Sequence, residues 1–154
     1  MTEKVESRAA YKDLVVWQKS MDFTNAVIEL TEMLDSQRKH YRLVEQLEAA
    51  AASVPMNIAE GKGRFSRKEF RHFLFIARGS LNETMTLLDI FQSRGWVSPE
   101  AFAHLEELSN EIGKMLNGLI RSIPSDLPMS YQLLSTNYQL SGIRYPLPPM
   151  SYPL

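Results

Sequence analysis

The sequence predicts an all-α protein, an antiparallel up-down four-helix bundle followed by a non-globular tail. Three observations predict it. Apolar residues recur at helical spacing in four separate blocks, none of the blocks shows sustained period-two alternation, and only short connections separate them. Four helices of about 20 residues with short connections pack most economically as antiparallel neighbours. With 154 residues and 44% hydrophobic side chains, the chain can build one core without disulfide or metal staples.

The first block runs from about Asp13 to Leu34, with Leu14, Trp17, Met21 and Ile28 in one stripe that Val16, Phe23, Val27 and Leu30 widen. The second spans about Arg38 to Glu60 and carries Leu43, Leu47, Ala50, Ala51, Val54 and Ile58. Its run from Ala49 to Ala52 lets a neighbouring helix approach closely, and Pro55 should bend it by removing a backbone donor. The third runs from about Arg67 to Ser93 on Phe70, Phe73, Leu74, Ala77, Leu81, Leu88 and Phe91. The fourth opens at Ser98 as cap and Pro99 as first helical residue, and continues through Phe102, Leu105, Ile112, Leu116, Leu119 and Ile123. The expected organisation is therefore a flexible segment 1–12, a bundle 13–123 and a tail 124–154.

The tail holds six of the eight prolines and almost no charge, so it reads as disordered or extended. Tyr131, Tyr138, Tyr145 and Tyr152 recur seven apart, each followed two residues later by leucine. A seven-nucleotide tandem repeat in the gene would encode this period; a peptide motif that docks on a partner groove is the alternative.

No cysteine occurs, which removes disulfides, thiolate metal sites and cysteine nucleophiles. The polar start MTEKVESRAAYKD lacks a signal core, and no apolar run reaches the roughly 18 residues of a membrane span. A cytoplasmic protein without a membrane partner is expected. Net charge is −1, but its distribution is uneven. Lys62, Arg64, Arg67, Lys68, Arg71 and Arg78 face only Glu60 and Glu69, whereas Glu83, Asp89, Glu100, Glu106, Glu107 and Glu111 face only Arg94. Such a split fits a solvated surface, a binding face, or two halves of a head-to-tail subunit contact.

The stretch NIAEGKGRFSRKEF, residues 57–70, concentrates the question of function. Its Gly-x-Gly lacks a third glycine, follows a helix instead of a strand and has no Gly-Lys-Ser/Thr, so a nucleotide loop is rejected. Gly61 suits a helix stop with a left-handed backbone, Gly63 a turn, and Ser66 with Glu69 a capping box. Arg67, Lys68 and Arg71 then sit in the first turns of a helix, where the dipole favours carboxylates. Cations there form an anion-binding corner suited to phosphate, or are neutralised by acids of loops or a neighbouring subunit.

Helical projection at roughly 100° per residue puts Arg71 and Arg78 on the same edge as Arg67, beside the core stripe. It also leaves Phe75, Ile76, Leu87 and Ile90 outside that stripe, which predicts self-association through them. Gly79 and Ser80, mid-helix, are expected to mark a close backbone contact.

Catalysis finds little support. Glu69 and His72 match one Glu-x-x-His motif of a di-iron bundle but lack the second, His40 and His104 show no ligand spacing, and Ser53 and Ser80 have no evident base. Asn57, Glu60 and Glu83 read as a polar network between helices before an acid/base pair. No enzyme, cofactor or metal is expected.

YKDLVVWQKS, LVEQLEAAAASVPMNIAEGKGRFSRKEFRHFLFIARGSLNE and EIGKMLNGLIRSI resemble the four-helix-bundle proteins encoded in intervening sequences of bacterial 23S ribosomal RNA genes. The resemblance covers about residues 11–123, with NIAEG and GSLNE at matching separation. It extends to the accessory variability determinant of diversity-generating retroelements, which binds a reverse transcriptase and nucleic acid. It implies a bundle assembling into a homopentameric ring, and maps family signatures onto Asn57, Glu60, Gly61, Gly79, Ser80 and Glu83 as determinants of fold and assembly. Where relatives carry two basic residues in the second helix, this chain has Glu48 and Ala49, which removes cations expected to face nucleic acid. Two readings follow: an oligomeric RNA- or DNA-associated protein gripping phosphate weakly through Lys62, Arg64, Arg67, Lys68, Arg71 and Arg78, or a protein-interaction scaffold, such as an accessory subunit of a reverse transcriptase.

Overall fold

The computed structural model describes residues 9–34 and 40–124, and among these it contains four α-helices and no strand. They are α1 (Val15–Glu32), α2 (Tyr41–Lys62), α3 (Arg67–Ser93) and α4 (Pro99–Ser122). The end of the segment expected to be flexible enters a 3-10 turn, Ala10–Asp13, whose Tyr11 ring meets Trp17 edge-on at 5.2 Å. Residues 1–8 and the tyrosine repeat of the tail lie outside the described residues.

Each helix contacts its sequence neighbours, and α4 closes the ring against α1. Cross-helix bonds give the direction: Ser53 meets Ser80 and Gln46 meets Glu83, while Arg71 reaches Ile120 and Arg78 reaches Asn117. The bundle is therefore up-down antiparallel, as expected for short connections. Phe23, Leu47, Ile58, Leu74, Leu88, Phe91, Ile112 and Leu116 are fully enclosed, and each such side chain contributes roughly 1.5–3 kcal/mol relative to exposure.

The core stripe of α1 is rotated from the expected one. Val16, Ser20, Phe23, Thr24, Val27 and Thr31 are buried, whereas Leu14, Trp17, Met21 and Ile28 are half-buried. Three small hydroxyl residues can lie inward because acceptors meet their hydroxyls: Ser20 has the Trp17 carbonyl, while Thr24 and Thr31 each share one proton between a carbonyl of α1 and an oxygen on α2. One of them also bears on Pro55, which lies buried inside α2. The proline ring leaves the Ala51 carbonyl without its helical donor, and Thr24 Oγ1 lies 2.9 Å from that oxygen. A defect in α2 thus becomes a specific tie to α1.

The α3–α4 connection ends α3 with a Schellman motif. Gly95 adopts φ +71°, its N–H donates to the Gln92 carbonyl at 2.9 Å, and the Trp96 N–H donates to Phe91 at 2.9 Å. The accompanying apolar contact is Trp96 against Phe91, edge-on with ring centroids 5.2 Å apart, and His40 stacks on Trp96 at 4.5 Å. Ser98 accepts from the Ala101 N–H at 3.2 Å, and Pro99 opens α4 as the sequence predicts.

Gly61 is corrected in role. It is a buried residue inside α2, not a left-handed stop, and Gly63 ends the helix with an ordinary φ of −78°. What Gly61 supplies is room: a Cβ there would stand 2.6 Å from Phe73 Cβ and 3.0 Å from Phe70 Cδ2. Absence of a side chain lets the ends of α2 and α3 touch. Gly79 does the opposite of what was expected, since a Cβ there would meet nothing within 4 Å.

Candidate functional site

Ser66 is the N-cap of α3, and the predicted capping box forms: its Oγ accepts from the Glu69 N–H at 3.1 Å, while Glu69 Oε2 accepts from the Ser66 N–H at 3.3 Å. On the other side, the Gly63 N–H reaches Ala59 at 3.2 Å and the Arg64 N–H reaches Gly61 at 3.2 Å. The connection between α2 and α3 is thereby held from both helix ends.

Five cations lie between residues 60 and 71, with Glu60 and Glu69 as the acids. Both carboxylates are engaged locally, Glu69 in the cap and Glu60 in an ion pair with Arg64. Lys62 lies over the Phe70 ring at 5.7 Å, and Arg64 lies over Phe73 at 5.1 Å. Arg67 is exposed, and its side chain makes no hydrogen bond or ion pair among the described residues. Lys62, Arg64, Arg67 and Lys68 are all exposed at this corner.

Two of the predicted contact residues also engage α4. Arg71 Nε donates to the Ile120 carbonyl at 3.3 Å, in the last turn of α4, where free carbonyls and the helix dipole favour a cation. Arg78 Nη1 donates to Asn117 Oδ1 at 2.9 Å. Both guanidinium groups also lie over Phe75, at 5.2 and 5.0 Å. They brace α3 against α4 and are half-buried.

The antiparallel fold converts the charge split of the sequence into a spatial one. The start of α3 and the second half of α4 share one end of the bundle, so Asp89, Glu100, Glu106 and Glu107 gather toward the other. A helix as long as α3 spans about 40 Å. Charges that far apart are screened from each other over a Debye length of about 8 Å, so the acidic end does not neutralise the basic corner of its own protomer.

The polar residues divide differently from the expectation. Asn57 Nδ2 donates to Ser53, to its carbonyl at 2.7 Å and its Oγ at 2.9 Å, and Ser53 meets Ser80 at 3.0 Å. Glu60 turns to Arg64, and Glu83 accepts from Gln46 at 3.4 Å, so neither joins Asn57. Ser53, Asn57 and Ser80 thus tie α2 to α3. Glu48 is half-buried and takes a 2.6 Å hydrogen bond from the Thr31 hydroxyl, a packing role between α1 and α2.

Of the expected interface residues, Phe75, Ile76 and Ile90 are 37%, 39% and 40% exposed, while Leu87 is buried at 5%. Leu87 projects only about 40° from the edge of the core stripe, within reach of a side chain that leans back over the preceding turn. Leu87 thus belongs to the protomer's own core and not to an outer face. Exposed Gly79 extends the remaining apolar face along α3.

Sequence reasoning overlooked Phe65. It stands at the tip of the corner, fully exposed, between Arg64 and Ser66. A signal was present: it is a large apolar residue that fits no helical stripe and lies between a helix stop and an N-cap, with cations on both sides.

The sequence profile of the 23S rRNA-intervening sequence protein family matches residues 12–118. Among solved structures, the fold is similar to that of a protein of unknown function from the S23 ribosomal protein family of Bacteroides thetaiotaomicron, with a TM-score of 0.65 and 28% identity, covering 70% of this chain and 96% of that one. Comparison with curated proteins returns no match. Signature stretches, four-helix architecture and profile agree: this chain belongs to the 23S rRNA-intervening sequence protein family.

Proposed function

We propose that the protein is a non-enzymatic, self-associating nucleic-acid-binding bundle that holds phosphate backbone weakly through the corner between α2 and α3. The observation that carries this reading is that both carboxylates of the corner are engaged within it, Glu69 in the cap and Glu60 on Arg64, while Lys62 and Arg67 stay exposed. Phosphate is the matching partner for clustered cations beside the amides of a helix start. Arg71 and Arg78 drop out of the binding set because α4 already engages them.

Self-association is supported by the Phe75, Ile76 and Ile90 face, which the protomer leaves more than a third exposed. A ring would repeat the corner, and several weak sites on one body gain effective concentration. No chemical step is assigned to Ser53 or Ser80, whose hydroxyls meet each other and, through Ser53, Asn57.

Structured RNA binding should be followed by fluorescence anisotropy at low salt, comparing the parent with a Lys62→Glu, Arg67→Glu double variant. A loss of at least roughly 10-fold is expected, since phosphate contacts dominate non-specific affinity. If the variant binds as tightly as the parent, the corner is not the site. A parent that forms the oligomer by light scattering yet binds no RNA would favour the scaffold reading.

A further inference from the structure

We propose that Phe65 is a stacking platform for an unpaired base, so that the corner takes single-stranded nucleic acid, or an unpaired loop, in preference to duplex. The inference rests on the nucleic-acid reading of the same corner and adds what that reading lacks, a term that discriminates between strands.

The ring is fully exposed, and no aromatic or cationic neighbour among the described residues lies against it. Folding makes no use of it. A single exposed phenylalanine is unremarkable in itself, so the weight falls on its setting. Its two chain neighbours are fixed, Arg64 by its N–H bond to Gly61 and Ser66 by the capping box. The ring is thus presented from a held backbone with only its two side-chain torsions to order, which keeps the cost of immobilising it low. Cations flank it on both sides, Lys62 and Arg64 before it, Arg67 and Lys68 after it.

These two kinds of group act on different parts of a nucleic acid. Cations read phosphate, which single strands and duplexes both carry, and duplex carries it more densely. An aromatic ring on a tip reads the face of a base, which is available only where the base is unstacked. A corner of cations alone would therefore hold duplex at least as well as single strand. Addition of one exposed ring reverses that order and does so with little regard to sequence, because every base offers a π-face.

The test measures anisotropy of a labelled single-stranded RNA oligonucleotide and of a blunt duplex of equal length, with the full chain in four forms: parent, Phe65→Ala, Phe65→Trp, and Lys62→Glu, Arg67→Glu. The parent should prefer the single strand; Phe65→Ala should lose roughly 10-fold on it and nothing on duplex, and Phe65→Trp should keep the preference. Circular dichroism should match the parent for all forms, because none of the three side chains is enclosed. The stacking assignment is overturned if Phe65→Ala weakens both ligands equally or neither. It is also overturned if the parent shows no strand preference but binds phosphatidylserine vesicles in a Phe65-dependent way, which would make the ring a bilayer anchor. Should the charge variant lose both ligands while Phe65→Ala loses neither, the corner stands without the stack; should the parent bind neither ligand, corner and stack fall together.

Discussion

The two corners that flank α3 solve the same problem with opposite economies. At its C-terminal end, Gly95 takes a left-handed backbone, Trp96 folds back on Phe91, and His40 covers the indole, so the large side chains of the turn serve the core. At its N-terminal end, the backbone is held by the capping box and the end of α2, yet Phe65 is fully exposed and Lys62, Arg64, Arg67 and Lys68 lie on the surface around it. A fold that can tuck an aromatic residue under one connection has left another outside at the next. The difference separates residues chosen for folding from residues that folding leaves unexplained, and Phe65, Lys62 and Arg67 are in the second group.

The largest effect that sharpens the contrast is expected at Phe91. Phe91→Ala should lower unfolding free energy by about 3–5 kcal/mol in a urea titration, since a fully buried ring leaves a cavity that its neighbours fill only in part. Next comes the hidden side of the basic corner. Gly61→Ala should cost about 1–3 kcal/mol, because its Cβ would overlap Phe73 Cβ, a backbone-proximal atom that cannot swing away. An unchanged denaturation midpoint would mean that α2 and α3 do not approach there as described. Smallest is the exposed counterpart: Phe65→Ala should change stability by less than about 0.5 kcal/mol. A loss comparable to that of Phe91→Ala would place Phe65 in an interface and erase the contrast between the corners.

Much of this was legible beforehand, for identifiable reasons. The bounds of α3 follow from Ser66, Glu69 and a long apolar stripe, all local signals that the tertiary structure does not override. The N-terminus of α4 follows from Ser98 and Pro99 in the same way. What escaped depends on partners distant in sequence. Arg71 and Arg78 look like free cations until α4 brings Ile120 and Asn117 beside them. Thr24 looks merely polar until Pro55 leaves the Ala51 carbonyl for it. Gly61 suggests a left-handed stop because glycine often serves there, yet its use is a close approach that only the packing of Phe70 and Phe73 reveals. Phe65 was missed for the opposite reason: no ring or cation among the described residues lies against it, and it fits no helical stripe.

Whether Lys62 and Arg67 meet phosphate is read from the salt dependence of RNA affinity. The parent should show affinity falling linearly with salt on logarithmic axes, and a Lys62→Gln, Arg67→Gln variant should show a slope shallower by about two, one for each lost contact. An identical slope in parent and variant would contradict the account.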